Sequence, residues 1–313
     1  MTDVAPPTGE QYHLRLDAPG GVVTAIVTEV AAGLRALEVG GVAVAETFSE
    51  HEAPPSASGI TLVPWPNRVD GGTWTLDGKP QQLDITEVAK GNASHGLLRF
   101  SPYRAVSVEE HAITQSASVF PQHGYPFRLD TTVRHELVDG GMVVTHTVTG
   151  RGAGTAPIAV GAHPFFRVGG HDPASLRVTL DAATRFETNV RSIPVGTAPV
   201  AGTPFDLTGS PLLGDLDIDA GYTDIATDGE GHRHITLAAP DGSSTTMWMD
   251  AAYPYMQVFT PRNFPRDGVK GLAFAAEPMS APANALVSGE GLVWLAPGET
   301  WTGRWGVAYS PAP

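Results

Sequence analysis

A few polar residues, far apart in this chain of 313, sit in stretches that read as strands or turns and carry groups able to move protons or grip hydroxyls. Glu277 follows the apolar run GLAFAA and precedes Pro278. A strand this apolar belongs inside a protein, and a carboxyl beside a low-dielectric wall has a raised pKa, which suits a general base. The plain alternative is a strand-end Glu in water. His163 stands in GAHPFF behind the apolar Ile158–Val160. Pro164 forces an extended backbone at His163, and Phe165 and Phe166 give it apolar surroundings. It reads either as a proton donor near neutral pH or as a satisfied core histidine. A Glu and a His brought together by folding can move protons in opposite directions on one small molecule, the minimum for general acid–base catalysis.

His95 precedes Gly96 in SHGLLRF. Glycine there admits a ligand or another strand at close range, and the alternative is a turn histidine. Asn67 and Arg68 follow Trp65 and Pro66. An amide beside five guanidinium donors makes a hydroxyl-binding cluster, with Trp65 as an aromatic wall; otherwise Arg68 forms a loop ion pair with Asp70. Asp217, Asp219 and Asp224 crowd DLDIDAGYTD, but without the spacing of a calcium loop. His232 and His234 stand two apart and share a strand face, yet their neighbours read as a wet hairpin. There is no HExxH, GxSxG or P-loop and no cysteine, so no metal site, thiolate nucleophile or nucleotide cradle is expected.

The elements that must position these groups are strands. Val22–Val30 is rich in β-branched residues. Leu34–Val39 and Val42–Ala45 flank Gly40-Gly41, Trp74–Leu76 meets Asp77-Gly78, Thr131–Val138 and Met142–Thr149 flank Asp139-Gly140-Gly141, and Ile235–Ala239 and Thr245–Met249 flank Pro240-Asp241-Gly242. No segment keeps a 3.6-residue apolar period, and Gly (36) and Pro (27) interrupt too often for long helices. The pattern predicts an all-β chain, a large antiparallel β-sandwich in one domain over residues 1–313. Longer loops are expected near Glu50–Gly59, Ile193–Asp219 and Thr260–Gly268, and loops on a rigid sheet are where sites lie.

With 42% hydrophobic and 17% charged residues the chain can bury a sizeable core. A net charge of −14 repels phosphate backbones and anionic membrane surfaces, so nucleic acid and membrane are poor partners and an uncharged small molecule fits better. The N-terminal MTDVAPPTGE has neither the basic nor the apolar part of a signal peptide, and no run reaches the ~18 apolar residues of a membrane helix, so a cytoplasmic location is expected.

In the order PNRVDGGTWTLDGK, SHGLLRF, GAHPFF, DAGYTD, YMQVFTP and EPMSAPAN, the chain resembles the aldose 1-epimerase (galactose mutarotase) family through most of its length. The resemblance implies the galactose mutarotase-like supersandwich with a sugar cleft across one face. It also implies isomerase activity, the interconversion of the α and β anomers of a free aldose such as glucose or galactose, without a cofactor. On this likeness Glu277 is the base and His163 the acid; Arg68, His95 and Gln257 line the sugar site; Asp219 matches a sugar-binding aspartate, with Asp224 as its rival; and Asn67 is a neighbour. Trp65 or Phe259 would stack on the sugar. A monosaccharide is the implied partner of a monomer or weak homodimer. The chain has Ala162 where the family commonly has Asn before His-Pro, and Ala-Gly-Tyr after Asp219. No further basic cluster stands near these motifs, which points to a free rather than a phosphorylated sugar. Other readings on such a fold are a sugar-binding protein without catalysis and a glycoside hydrolase or lyase pairing Glu277 with Asp219.

Overall fold

Strict alternation dictates the largest sheet. In Leu129–Val138 every second side chain is buried and those between are half-buried, save the exposed last residue. It pairs antiparallel with Gly141–Gly150, Val138 opposite Gly141, so the turn is Asp139-Gly140 alone. Gly141 belongs to the strand rather than to the expected three-residue turn. A Cβ there would lie 1.9 Å from the Val307 carbonyl oxygen, so only glycine lets the next strand pass. In the computed structural model, which describes residues 5–266 and 268–313, eight strands form this sheet. Their spatial order is Arg104–Val108, Ala112–Val119, Leu129–Val138, Gly141–Gly150, Thr300–Ser310, Ser244–Met249, Arg233–Ala238 and Arg177–Leu180. The strand latest in sequence therefore lies in the middle, hydrogen-bonded to Gly141–Gly150 on one side and Ser244–Met249 on the other.

A second sheet runs Pro194–Pro199, Ala182–Thr188, Asp219–Ile225, Tyr255–Phe259, Phe274–Met279, Gly161–Ala162 and Thr61–Leu62, with Phe165–Phe166 also paired to Phe274–Met279. A smaller sheet is built from Gln11–Ala18, Gly21–Thr28, Leu34–Val39 and Val42–Ala43. One continuous apolar core joins all three. Val133, Val144 and Met247 come from the largest sheet, Tyr222, Met256, Val258 and Ala276 from the second, and Val23, Val27 and Leu37 from the smallest. Each Val, Leu or Met side chain among them contributes roughly 1.5–3 kcal/mol when taken out of water, before entropy is counted. The architecture is the expected all-β antiparallel sandwich. Ala285–Ser288 is a single helical turn.

The predicted hairpins form, including Asp77-Gly78, where both residues have positive φ (49° and 74°) as a tight primed turn requires. Two of the expected loops contain more structure than their sequence suggests. Pro194–Pro199 is a sheet-edge strand, and Phe264–Arg266 pairs with Val269–Gly271. Pro, Gly and exposed polar residues hide an edge strand from any periodicity test.

Two core histidines have a consequence for stability. His135 and His146 are both 2% exposed on adjacent strands. The His146 Nε2 is 2.7 Å from the Thr131 hydroxyl, and the His135 Nδ1 has no partner among the described residues. Burial pushes His135 down to about 4 and His146 to about 3. The unfolded chain, with histidines near the ordinary ~6.5, binds protons that the folded one refuses, so stability falls as pH drops below that value towards the folded pKa. The expected cost at pH 5 is on the order of 2 kcal/mol for each. Denaturant titrations at pH 7 and pH 5 should show a drop in wild type that is smaller by about that amount in His135→Leu. An equal drop in both proteins would show that His135 is not held neutral.

Candidate active site

Glu277 is the one charged residue in Phe274–Met279, a strand buried at every position. Its neighbours set the geometry. Gln257 lies directly opposite Glu277 on Tyr255–Phe259, and Asp219 lies opposite Phe259 on the next strand. Because side chains alternate along strands, Asp219, Gln257, Phe259 and Glu277 all rise from the same face.

His163 enters from the other side. Gly161 pairs with Met279 and Phe165 with Ala275, so the residue midway between them comes level with Glu277. Its backbone N–H donates to Ile60 O (3.0 Å) and its carbonyl accepts from Gly59 N (2.8 Å), while the ring stacks on Phe165 at 5.4 Å between centroids. This places His163 Nε2 3.4 Å from Glu277 Oε1. Both side chains are buried, yet Glu277 Oε2 and His163 Nδ1 have no hydrogen-bond partner among the described residues.

The third wall comes from two short paired strands, Arg68–Val69 and Ala93–Ser94, with Arg68 opposite Ser94. Asn67 and His95 flank them with φ of 54° and 64°, and the His95 N–H donates to Asn67 O at 2.8 Å. A left-handed backbone costs on the order of 1 kcal/mol at a non-glycine residue, and Asn and His are among those that adopt it most readily. At His95 it turns the ring to meet His163 edge-on, 5.2 Å between centroids. Gly96, at φ 74°, allows this, because a Cβ would come 2.1 Å from Val63 O. Its close approach is to the Val63 backbone, with which it forms an isolated bridge.

Arg68 is held by Glu87 through two hydrogen bonds of 2.8 and 3.1 Å, and Nη1 also donates to Asn67 Oδ1 (3.3 Å) and reaches to 3.9 Å of Asp219 Oδ2. Asp70, the partner in the alternative reading of Arg68, pairs with Arg191 (2.7 Å). Asp219 Oδ1 accepts from the Gln257 amide at 2.6 Å. Gln257 therefore sits behind Asp219, in a small recess that it shares with Asn67 and Arg68. The main cleft, about 530 Å³, opens over His163 and Glu277. Asn67, Arg68, Asp219 and His95 line it, as do Arg99 and Phe259.

The structure thus brings Glu277, His163, Arg68, His95, Asp219 and Asn67 to one cavity, with Gln257 adjoining. It separates others. Asp224 is exposed, further along the strand that Asp219 begins. Trp65, considered above as a sugar-stacking wall, is 2% exposed and packs on Tyr125 in the core, whereas Phe259 lines the cleft. His234 bonds Asp228 at 2.6 Å and His232 packs on Trp248, so this pair serves its hairpin. Among the described residues no group of three His, Asp or Glu is placed to hold a metal ion.

Three contributors escaped the sequence reading. Glu87 grips Arg68 and carried no signal. Asn284 was visible only as the last letter of EPMSAPAN; its N–H donates to Arg68 O (2.6 Å) and its Oδ1 accepts from Asp70 N (2.9 Å), which pins the Arg68 strand beside Glu277. Arg99, four residues beyond His95, was quoted within SHGLLRF without a role.

Burial disfavours charge on both members of the central pair. It drives the Glu277 carboxyl well above the ordinary carboxylate range, with Asp219 adding to the rise and Arg68 opposing it. It drives His163 down to about 4, with Arg99 and Arg68 pushing the same way. A base of raised pKa is a stronger proton acceptor, and an acid of lowered pKa a stronger donor.

The sequence model of one family, aldose 1-epimerase, matches residues 13–307. The chain belongs to the aldose 1-epimerase family. An uncharacterised relative, YihR of Escherichia coli K12, is 28% identical over 284 residues, 90% of this chain and 88% of its own. Galactose mutarotase of Sus scrofa is 31% identical over 160 residues, 47% of this chain and 44% of its own. In fold, this family member is similar to a GalM/aldose epimerase homologue from C. elegans (TM-score 0.85, 18% identity, 97% of this chain and all of that one). It is also similar to galactose 1-epimerase from Lactobacillus acidophilus NCFM (TM-score 0.76, 17% identity, 95% and 93% of the two chains). None of the helices is long and apolar enough to cross a membrane among the described residues.

Proposed function

We propose that this protein is an aldose 1-epimerase that interconverts the α and β anomers of a hexose by opening and reclosing the pyranose ring. The observation that carries the reading is the buried Glu277–His163 pair, 3.4 Å apart, in the wall of a sugar-sized cleft. Glu277 takes the proton of the C1 hydroxyl. The C1–ring oxygen bond breaks, its electrons go to the ring oxygen, and His163 supplies the proton there. The sugar is now an open-chain aldehyde, Glu277 is protonated and His163 is neutral. Rotation about C1–C2 presents the other carbonyl face. Closure then runs the same transfers backwards and restores both groups.

Burial supports this assignment. The neutral pair, carboxylic acid beside imidazole, is the form that accompanies the open-chain sugar, and it is the form a low-dielectric site favours. The protein is thereby complementary to the intermediate rather than to either anomer. Arg68, Asn67, His95 and Asp219 are fixed donors and acceptors for ring hydroxyls, and Phe259 offers an apolar face. Hydrolysis needs two opposed, available carboxylates; here Asp219 is engaged by Gln257 and approached by Arg68.

The test is the approach of fresh α-D-glucose and α-D-galactose to anomeric equilibrium, followed by polarimetry and corrected for the spontaneous rate. The expected result is acceleration in proportion to enzyme concentration. If no aldose on a wider panel, neutral or charged, equilibrates faster with protein than without, the reading fails.

A further inference from the structure

Resting on the epimerase reading above, we propose that Glu46 and Arg266, neither of which lines the cleft, are positioning residues that clamp the aromatic support of His163 and so hold its ring in place against Glu277. The His163 Nδ1 has no hydrogen-bond partner among the described residues and Nε2 faces Glu277, so packing has to orient the ring. That packing is a stack. The imidazole lies nearly parallel to Phe165, at 19° and 5.4 Å between centroids. Phe165 in turn packs against Phe264 at 4.7 Å, and Phe259 meets it edge-on at 6.5 Å. Phe165, Phe264, Ala273 and Ala275 form a small cluster of their own, separate from the continuous core. The support behind His163 therefore does not come from the interior of the sandwich.

Phe264 opens the hairpin of Phe264–Arg266 and Val269–Gly271, a two-stranded sheet that joins neither large one. Two strands alone are marginal in water, so such a hairpin needs an anchor. Arg266 supplies it. Its Nε donates to Glu46 Oε2 at 3.0 Å and its Nη2 donates to Oε1, a two-pronged bond between residues 220 positions apart. Glu46 ends the apolar run VAVA, and its side chain is buried. Its backbone N–H donates to Phe165 O at 2.9 Å, and Arg167 Nη1 comes within 3.7 Å of Oε2. One residue thus ties the segment carrying His163 and Phe165 to the hairpin carrying Phe264.

Stability alone is a poor reason for such a pair, because a buried ion pair is often no better than apolar residues of the same volume. What a two-pronged arginine–carboxylate contact adds is a fixed distance and direction, where apolar surfaces can slide. Proton transfer needs that precision, since a misplacement of about 1 Å costs on the order of 10²-fold. The same packing keeps water from the ring. Burial drives His163 down to about 4, with Arg99 and Arg68 pushing the same way. Its other titratable neighbours are Glu277 at 3.4 Å and His95 edge-on at 5.2 Å. Glu46 and Arg266 reach His163 through Phe165, so loosening them should both misplace the ring and wet it.

The experiment measures kcat and KM for the best aldose in wild type, Glu46→Gln, Arg266→Gln, Arg266→Lys and the Glu46→Gln/Arg266→Gln double variant. Both glutamine variants should lose ~10–100-fold in kcat while KM stays within about threefold, because neither residue touches the sugar. Arg266→Lys, which keeps the charge and one hydrogen bond, should recover part of the loss. The double variant should be no slower than the slower single one, as for two halves of one contact. The variants should also lose kcat/KM between pH 7 and pH 5, where wild type holds, because a wetted imidazole titrates nearer the ordinary ~6.5. Imidazole NMR, with His163 assigned from the signal missing in His163→Asn, reads the same change without turnover. His163 should titrate near pH 4 in wild type and above about pH 5 in the variants. Unchanged kcat in both single variants would overturn the clamp. So would a lower kcat with the wild-type pH profile and titration, which is the signature of a purely structural ion pair. Should Glu46→Gln not fold, Arg266→Gln, whose side chain is partly exposed, carries the same readings. In a protein that turns over no sugar, a shifted titration upholds the clamp and counts against the epimerase reading alone, and an unshifted one overturns the clamp as well.

Discussion

Glu277→Gln is expected to remain folded and to equilibrate anomers ~10²–10⁴ times more slowly than wild type, the range typical for loss of a positioned general base. The substitution keeps the shape of the side chain and removes its ability to take a proton. The site is 2% exposed and Oε2 has no hydrogen-bond partner, so the native carboxyl is held at the expense of stability. A neutral amide of the same shape should keep stability within about 1 kcal/mol of wild type, since one buried polar group without a full set of partners replaces another. Polarimetry at equal protein concentration reads the rate, and a thermal melt reads the fold. Turnover within tenfold of wild type, with the melt unchanged, would show that another group takes the proton.

His163→Asn should be slowed by a similar ~10²–10⁴-fold, since an amide can donate a hydrogen bond but cannot surrender the proton. The missing ring leaves a gap against Phe165, on which the imidazole stacks, so a modest loss of stability of about 1–2 kcal/mol is expected as well. The pH profile distinguishes catalysis from packing. The pair must hold one proton between its two groups, because with two neither accepts and with none neither donates. Burial pushes His163 down to about 4, so the second proton arrives only near that pH. Wild-type kcat/KM should therefore hold from pH 7 to pH 5, where a histidine of ordinary pKa, ~6.5, would already impose a drop of about 30-fold. An acid limb centred near 6.5 would mean that His163 is solvated and that the roles assigned to the pair need revision.

How much of this was legible beforehand depends on the range of each interaction. Alternation and glycine turns are local, so the sandwich and nearly all its hairpins could be read directly. Glu277 and His163 were legible because each is a lone titratable group inside an apolar stretch, which is a local anomaly. What could not be read is who meets whom. Asp70 is two residues from Arg68, yet Glu87, nineteen away, takes the guanidinium. Trp65 sits among site residues in sequence but turns into the core onto Tyr125. Asn284 ties its own loop to Asp70 across 214 positions, and no spacing rule anticipates that. Arg99 looks unremarkable as text, because its place in the cleft wall is a property of the folded surroundings.

The place of Thr300–Ser310 in the middle of the largest sheet bears on how the molecule comes into being. While the chain is still emerging from the ribosome, the strands from Arg104 to Gly150 and those at 177–180, 233–238 and 244–249 have no strand to join them. Each group presents an open edge of unpaired N–H and C=O groups, the surface on which other chains add. Only when the closing segment WTGRWGVAYS arrives do both edges disappear at once. Maturation is thus a late, cooperative event dominated by contacts distant in sequence, a topology that folds slowly and depends on protection from aggregation until synthesis has passed residue 310.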